Sequence, residues 1–222
     1  MSQIKIDKLV RSKRKTVALA VMADATLIVR APMRTPLYYI RNFVDKSLPW
    51  IKKQKARANK LNDTYKPKQF IEGEGFLHLG NTYKLMLSDQ KQITLNDRLI
   101  YPRADLSRAK ERMIEWYKAQ ALRDISERVS RYSRITSWKC KSVKISNAKK
   151  RWGSCSPSGT LNFSWRLIMA PPEIVDYIVV HELAHLRHHN HSARYWNTVR
   201  VILPDYKERD KWLKENGRSL YL

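Results

Sequence analysis

The stretch that decides the reading is His181-Glu182-Leu183-Ala184-His185-Leu186-Arg187-His188-His189-Asn190-His191, which holds five of the six histidines of the chain. On a helix, positions i and i+4 share a face, so His181 and His185 can direct ring nitrogens at one ion. Glu182 stands one step round the helix, where it can take a proton from a water beside that ion. Asn190 is a place for the helix to end and the chain to turn back, and His191 can then approach as a third ligand. Three protein ligands leave a fourth tetrahedral position for water, which is the arrangement of a catalytic rather than a structural zinc. His188 and His189 are adjacent, so at most one could face the ion. Both read as exposed or as charges at a helix C-terminus. The acidic alternative for the third ligand is Glu208. No methionine follows Met169, so the methionine turn of the metzincins is missing.

Upstream of this stretch, Pro171-Pro172-Glu173 opens a helix running through Ile174, Ile178, Val179 and Leu183. Lys141–Ser146 and Thr160–Ile168 read as strands on either side of a loop around Gly153 and Gly159. Asp105 to about Val129 reads as one long amphipathic helix with Met113, Tyr117, Ala121 and Ile125 at helical spacing. Arg131–Ser137 then reads as a polar connection. Downstream, Ser192 and Pro204 bracket a helix, and a last helix runs to about Glu215 with Gly217 as its cap. Phe70–Tyr101 has strand character, with turns at Gly80-Asn81 and Asn96-Asp97. Nearer the N-terminus, Gln3–Val10, Thr16–Met22 and Thr26–Ala31 read as strands, with a turn at Ala23-Asp24-Ala25. Thr35 and Pro36 then open a helical region, broken near Ser47 and continuing to about Leu61. Strands early and helices late indicate an α+β protein rather than alternating α/β. The expected division is 1–104, a β-rich part with a helical insertion, and 105–222, the catalytic part, with one continuous domain as the alternative.

The chain has 222 residues, with Lys plus Arg at 44 against Asp plus Glu at 20, a formal net charge of +24. A hydrophobic content of 43% fits a folded protein and excludes a mostly disordered one. The charge points to polyanions, to an anionic surface or to acidic substrates, and says nothing about fold. Nucleic acid, through a basic surface, is therefore one partner that the charge allows. No zinc finger, arginine-glycine repeat or recognition helix accompanies the charge. No apolar run approaches the ~18 residues of a membrane span, and the N-terminus lacks the apolar stretch of a signal peptide, so a cytoplasmic protein without membrane association is expected. Cys140 and Cys155 are too few for a disulfide framework and read as buried free thiols.

Several blocks, in order, resemble the YgjP-like zinc metallopeptidases, relatives of the SprT-like proteins and of the small gluzincin-type proteases. They are Arg151-Trp152-Gly153-Ser154-Cys155, Leu161-Asn162-Phe163, Trp165-Arg166-Leu167, Pro171-Pro172, Asp176-Tyr177, His181 to His185, His191-Ser192, Trp196 and Pro204-Asp205-Tyr206. Arg11 to Thr16 and Trp50-Ile51 match as well, so the resemblance spans nearly the whole chain. It implies a zincin-like catalytic domain with its active-site helix and small sheet, zinc held by His181, His185 and His191, Glu182 as general base, and hydrolysis of peptide bonds in a protein or peptide substrate. In zincin-like folds an edge strand usually holds the substrate, and Thr160–Ile168 could be that strand. Arg151, Trp152, Asn162, Tyr195 and Tyr206 are candidates for contact with that substrate. Arg151, Tyr195 and Tyr206 are also candidates for stabilising the oxyanion. Trp152, Trp165 and Trp196 read first as core packing, and Asp176 and Asp205 as carboxylates that orient ligands or as caps and surface charges. Two other functions stay open: a basic nucleic-acid-associated protein, including a protease of DNA-bound proteins, and a metal-dependent hydrolase of non-peptide amides.

Overall fold

The computed structural model describes residues 4–22, 24–64, 67–220 and 222. Gln3 and Ala23, on which parts of the reading above fall, lie outside the described residues. The fold is α+β, with three small sheets and six α-helices among the described residues.

The chain divides into two compact units, Met1–Pro67 and Lys68–Leu222. The break therefore falls at Pro67, not near Ala104. The reason is packing: Phe70, Phe76, Leu85, Leu99 and Tyr101 share one core with Met113, Tyr117 and the helices that follow. Hydrogen bonds seal this join, from Tyr117 Oη to Leu77 O at 2.7 Å and from Leu79 N to Ile168 O at 2.7 Å.

In the first unit, strands β1 (Lys8–Ser12), β2 (Ala18–Val21) and β3 (Leu27–Pro32) form a sheet ordered β1-β3-β2. Helices α1 (Leu37–Lys46) and α2 (Leu48–Thr64) follow. Alternate β3 residues Leu27, Val29 and Ala31 are fully buried, and Ile40, Val44 and Ile51 complete this separate core, as a strand period of two and a helix period of 3.6 require.

The second unit begins with β4 (Gly75–His78), β5 (Asn81–Ser88), β6 (Thr94–Leu95) and β7 (Leu99–Pro102), ordered β4-β5-β7-β6. The β4–β5 turn has Leu79 and Gly80 both at positive φ, the geometry of a tight hairpin. Helix α3 spans Ala109–Thr136. It runs seven residues beyond the expected end, so most of the supposed connection is helical. Buried Tyr132 continues the stripe of Met113, Tyr117, Ala121, Ile125 and Val129, and Ser137 ends the helix in the left-handed conformation. Strands β8 (Ser142–Ser146), β9 (Gly153–Cys155) and β10 (Thr160–Ser164) form the third sheet, ordered β8-β10-β9. Two corrections follow. The segment at Gly153 is a strand rather than a loop. And β10, parallel to β8 and antiparallel to β9, is internal, so β9 rather than Thr160–Ile168 lies at the sheet edge. Trp165–Met169 leave the sheet as a buried 3-10 helix. Helices α4 (Pro172–Ala184), α5 (Ala193–Ile202) and α6 (Tyr206–Asn216) complete the unit. No described helix is long and apolar enough to cross a membrane.

Candidate active site

Helix α4 presents the site. Pro172 at its first position needs no amide hydrogen, and Glu173 in the first turn meets the positive end of the helix. The helix is buried almost all round, through Ile174, Val175, Ile178, Val179, Val180 and Leu183. It ends at Ala184, earlier than expected, and His185 is its cap residue. The turn after it brings the carbonyl of His188 to 2.9 Å from His185 Nδ1. That contact fixes the ring and leaves Nε2 for an ion, the usual arrangement around a ligand histidine. His188 thus acts through its backbone, while its ring lies against Thr198 Oγ1 at 3.3 Å.

His191 precedes α5, whose N-cap Ser192 accepts from the backbone of Tyr195. This cap turns the chain back so that His191 Nε2 lies 3.2 Å from His181 Nε2. One ligand atom from each of His181, His185 and His191 falls within 4.8 Å of the others, the only such group found among the described residues. Exposed Glu208 is not a member. Burial, reinforced by the neighbouring rings of His185 and His191, pushes the His181 pKa down to about 3. Burial also lowers His185. Both rings are therefore neutral at physiological pH, which is the form that binds a metal. Three converging imidazoles with a carboxylate alongside fit zinc or a similar divalent transition metal.

Glu182 is 4% exposed. Burial pushes its pKa up to about 8, opposed by the positive charge of Arg151. It lines a hollow of about 350 Å³ together with Gly153, Ser154 and Cys155 of β9 and His181, His185, His189 and His191. Gly153 is a close approach: a Cβ there would stand 2.5 Å from Glu182 Oε1. Cys155 and Cys140 are half-buried free thiols, and burial pushes both thiols above their ordinary range.

The other anticipated residues separate into different roles. Tyr195 is fully buried, its hydroxyl donates to His181 O at 3.0 Å, and its ring lies within 4.7–5.4 Å of the rings of His181, His185 and His191. It braces the ligands and has no free face for substrate. Tyr206 stacks on Trp196 at 5.3 Å, and Trp196 stacks on His191 at 5.4 Å. Tyr206 therefore supports the exposed ligand from behind rather than facing the hollow. Trp152 packs on the core. Asn162 pairs across the sheet with Ser154, and its Oδ1 is buried without a hydrogen-bond partner. Arg151 is exposed, and its charge reaches Glu182. Asp176 orients no ligand: it binds Arg128 at 2.6 Å and Arg131 at 2.7 Å, tying α4 to α3. Asp205 bonds Arg209. The carboxylate whose charge does act on His181 is Asp210, which accepts from the Tyr177 hydroxyl at 3.4 Å while the Tyr177 ring meets His181 edge-on. Sequence reading missed Asp210, although its place one turn after Tyr206 on an amphipathic helix was the available signal.

A family model for the YgjP-like metallopeptidase domain matches residues 15–216. The chain belongs to that family. As a YgjP-like protein it carries a metal-dependent peptidase domain over nearly its full length. Among solved structures it is similar to the crystal structure of the metallopeptidase zymogen of Pyrococcus abyssi abylysin, with 24% identity over 41% of this chain and 93% of that one and a TM-score of 0.38. No curated protein matches the chain closely.

Proposed function

We propose that this YgjP-like protein is a zinc-dependent endopeptidase acting on extended segments of polypeptide, with His181, His185 and His191 as ligands and Glu182 as general base. The supporting observation is the convergence of the three imidazoles in one hollow with Glu182, beneath an edge strand. A zinc ion bound there supplies Lewis acidity, which acidifies the attacking water and polarises the scissile carbonyl.

The residues of the chain do the rest. Glu182 accepts the proton of the attacking water and delivers it to the amide nitrogen as the C–N bond breaks. The burial that raises its pKa makes it a strong acceptor, and the nearby positive charge of Arg151 favours the ionised form needed at the outset. The outer side of β9 has no strand partner among the described residues, so its backbone groups can pair with an extended substrate. Of the three oxyanion candidates, the Tyr195 hydroxyl already donates to His181 O; Arg151, whose positive charge reaches Glu182, is the proposed donor, with Tyr206 the alternative.

The alternative, hydrolysis of a small non-peptide amide, is separated by substrate length. Mass spectrometry of an unfolded protein incubated with the zinc-loaded enzyme should reveal internal cleavage that a chelator stops. Short acyl amides that cannot span the edge strand should survive. Cleavage of the short amides with the unfolded protein left whole would replace this reading with the small-amide one.

A further inference from the structure

The N-terminal unit has a surface unlike that of the second unit. Residues 1–67 contain 16 Lys and Arg against 4 Asp and Glu, which leaves +12, half the net charge of the chain in under a third of its length. Two of the four acids are spent locally: Asp7 accepts from Leu27 N and pairs with Lys55, and Asp24 accepts from Thr26 N. The unit also exposes large apolar side chains. Tyr38 is 73% exposed, Tyr39 53% and Trp50 44%, and Met33 and Leu37 are exposed beside them in sequence. Single exposed apolar side chains are ordinary, but several exposed aromatic rings in one small, strongly basic unit are a candidate contact surface.

Their placement is ordered. Arg11 donates to the carbonyls of Pro32, Met33 and Thr35, which pins the turn leading into α1. On α1, Tyr38, Arg41 and Asp45 follow at helical spacing and share one face. Arg41, Val44 and Asp45 form one wall of a hollow of about 400 Å³, and Ile4, Lys5 and Ile6 form the other. Lys13 and Lys15 are exposed between β1 and β2, and Lys52 and Lys53 are exposed on α2 after Trp50.

We infer that the N-terminal unit binds single-stranded nucleic acid, with unpaired bases on Tyr38, Tyr39 and Trp50 and phosphates on the exposed Lys and Arg of the same unit. Charge complementarity selects a polyanion. The exposed rings select one with accessible π-faces, because stacking needs bases that a duplex keeps paired. The assignment is independent of the peptidase reading.

Fluorescence anisotropy of the full chain with labelled oligothymidylate and oligouridylate tests it, with a duplex of equal length and heparin as competitors. Both single strands should bind more tightly than the duplex, and heparin should compete only through charge. Affinity should fall steeply with salt. Y38A and W50A should each weaken binding roughly 5- to 150-fold, while Y38F retains it. Tyr38 is 73% exposed, so the thermal unfolding of Y38A should match the parent. Peptide cleavage should be unchanged in all of them. A difference between the two single strands would assign DNA or RNA within the same proposal. Equal affinity for the duplex, alanine variants that bind like the parent, or binding to anionic phospholipid vesicles in place of the oligonucleotides would each overturn it.

Discussion

Gly153 and Glu182 illustrate what a single residue decides here. The backbone of β9 passes so close to the carboxylate that a methyl group at 153 would overlap Glu182 Oε1. The carboxylate is the movable partner, so G153A should fold, keep its metal and displace the base. A misplacement of about 1 Å costs on the order of 10²-fold in rate, and G153A should lose activity on that scale with the metal content of the parent. Parent-like cleavage would show that the close approach has no catalytic consequence. The convergence of the three histidines was legible in the sequence, because helical spacing puts His181 and His185 on one face and the Ser192 cap returns His191. The role of Gly153 was not, since it depends on a contact between residues 29 positions apart. The same holds for the support of His191 by Trp196 and Tyr206, and for Asp210 acting on His181.

Helix α4 is fixed at the scale of elements by the ion triad of Asp176, Arg128 and Arg131. Arg128 and Asp176 have side chains only 13% and 16% exposed. Removing Asp176 leaves the Arg128 charge largely out of water with only Asp124 to compensate it. D176A should therefore lower stability by about 3 kcal/mol in urea unfolding, with a smaller loss for R131A, whose side chain is 49% exposed. Equal losses would mean that burial is not what gives the pair its weight. The sequence identified most helices through periodicity and caps. It ended α3 early because Arg131, Ser133 and Arg134 look like a connection, whereas the buried stripe continues through Tyr132 on the other side of the same turn. It missed β9 because three residues carry no period and only the pairing with β10 makes them a strand.

For the whole molecule, the two separate cores explain why the division falls at Pro67. The hairpins of residues 75–102 are β-rich, like the N-terminal strands, and composition groups them together; their buried residues face α3 instead. Charge state acts at this scale too. Burial lowers the pKa of His78, His181 and His185, so below about pH 6.5 the unfolded chain takes up protons that the folded chain refuses. Each contribution is absent above the unfolded value and destabilises as pH falls towards the folded one, which is about 3 for His181. Glu182, raised to about 8, opposes this with one proton held in the folded state. Three groups against one make the metal-free protein lose stability as pH drops from 6 to 4.5. The urea midpoint should fall over that range, and H181N should reduce the fall. A midpoint that is flat or rises on acidification would contradict the neutral, buried histidines.

The most direct test of the central claim is a paired measurement on E182Q: zinc content per chain and cleavage of an unfolded protein by the same sample. The account predicts one zinc per chain, as in the parent, with cleavage reduced by about 10²- to 10⁴-fold; H185A, by comparison, should lose both. An E182Q protein that cleaves at the parental rate would contradict Glu182 as the base and with it the proposed chemistry of the site.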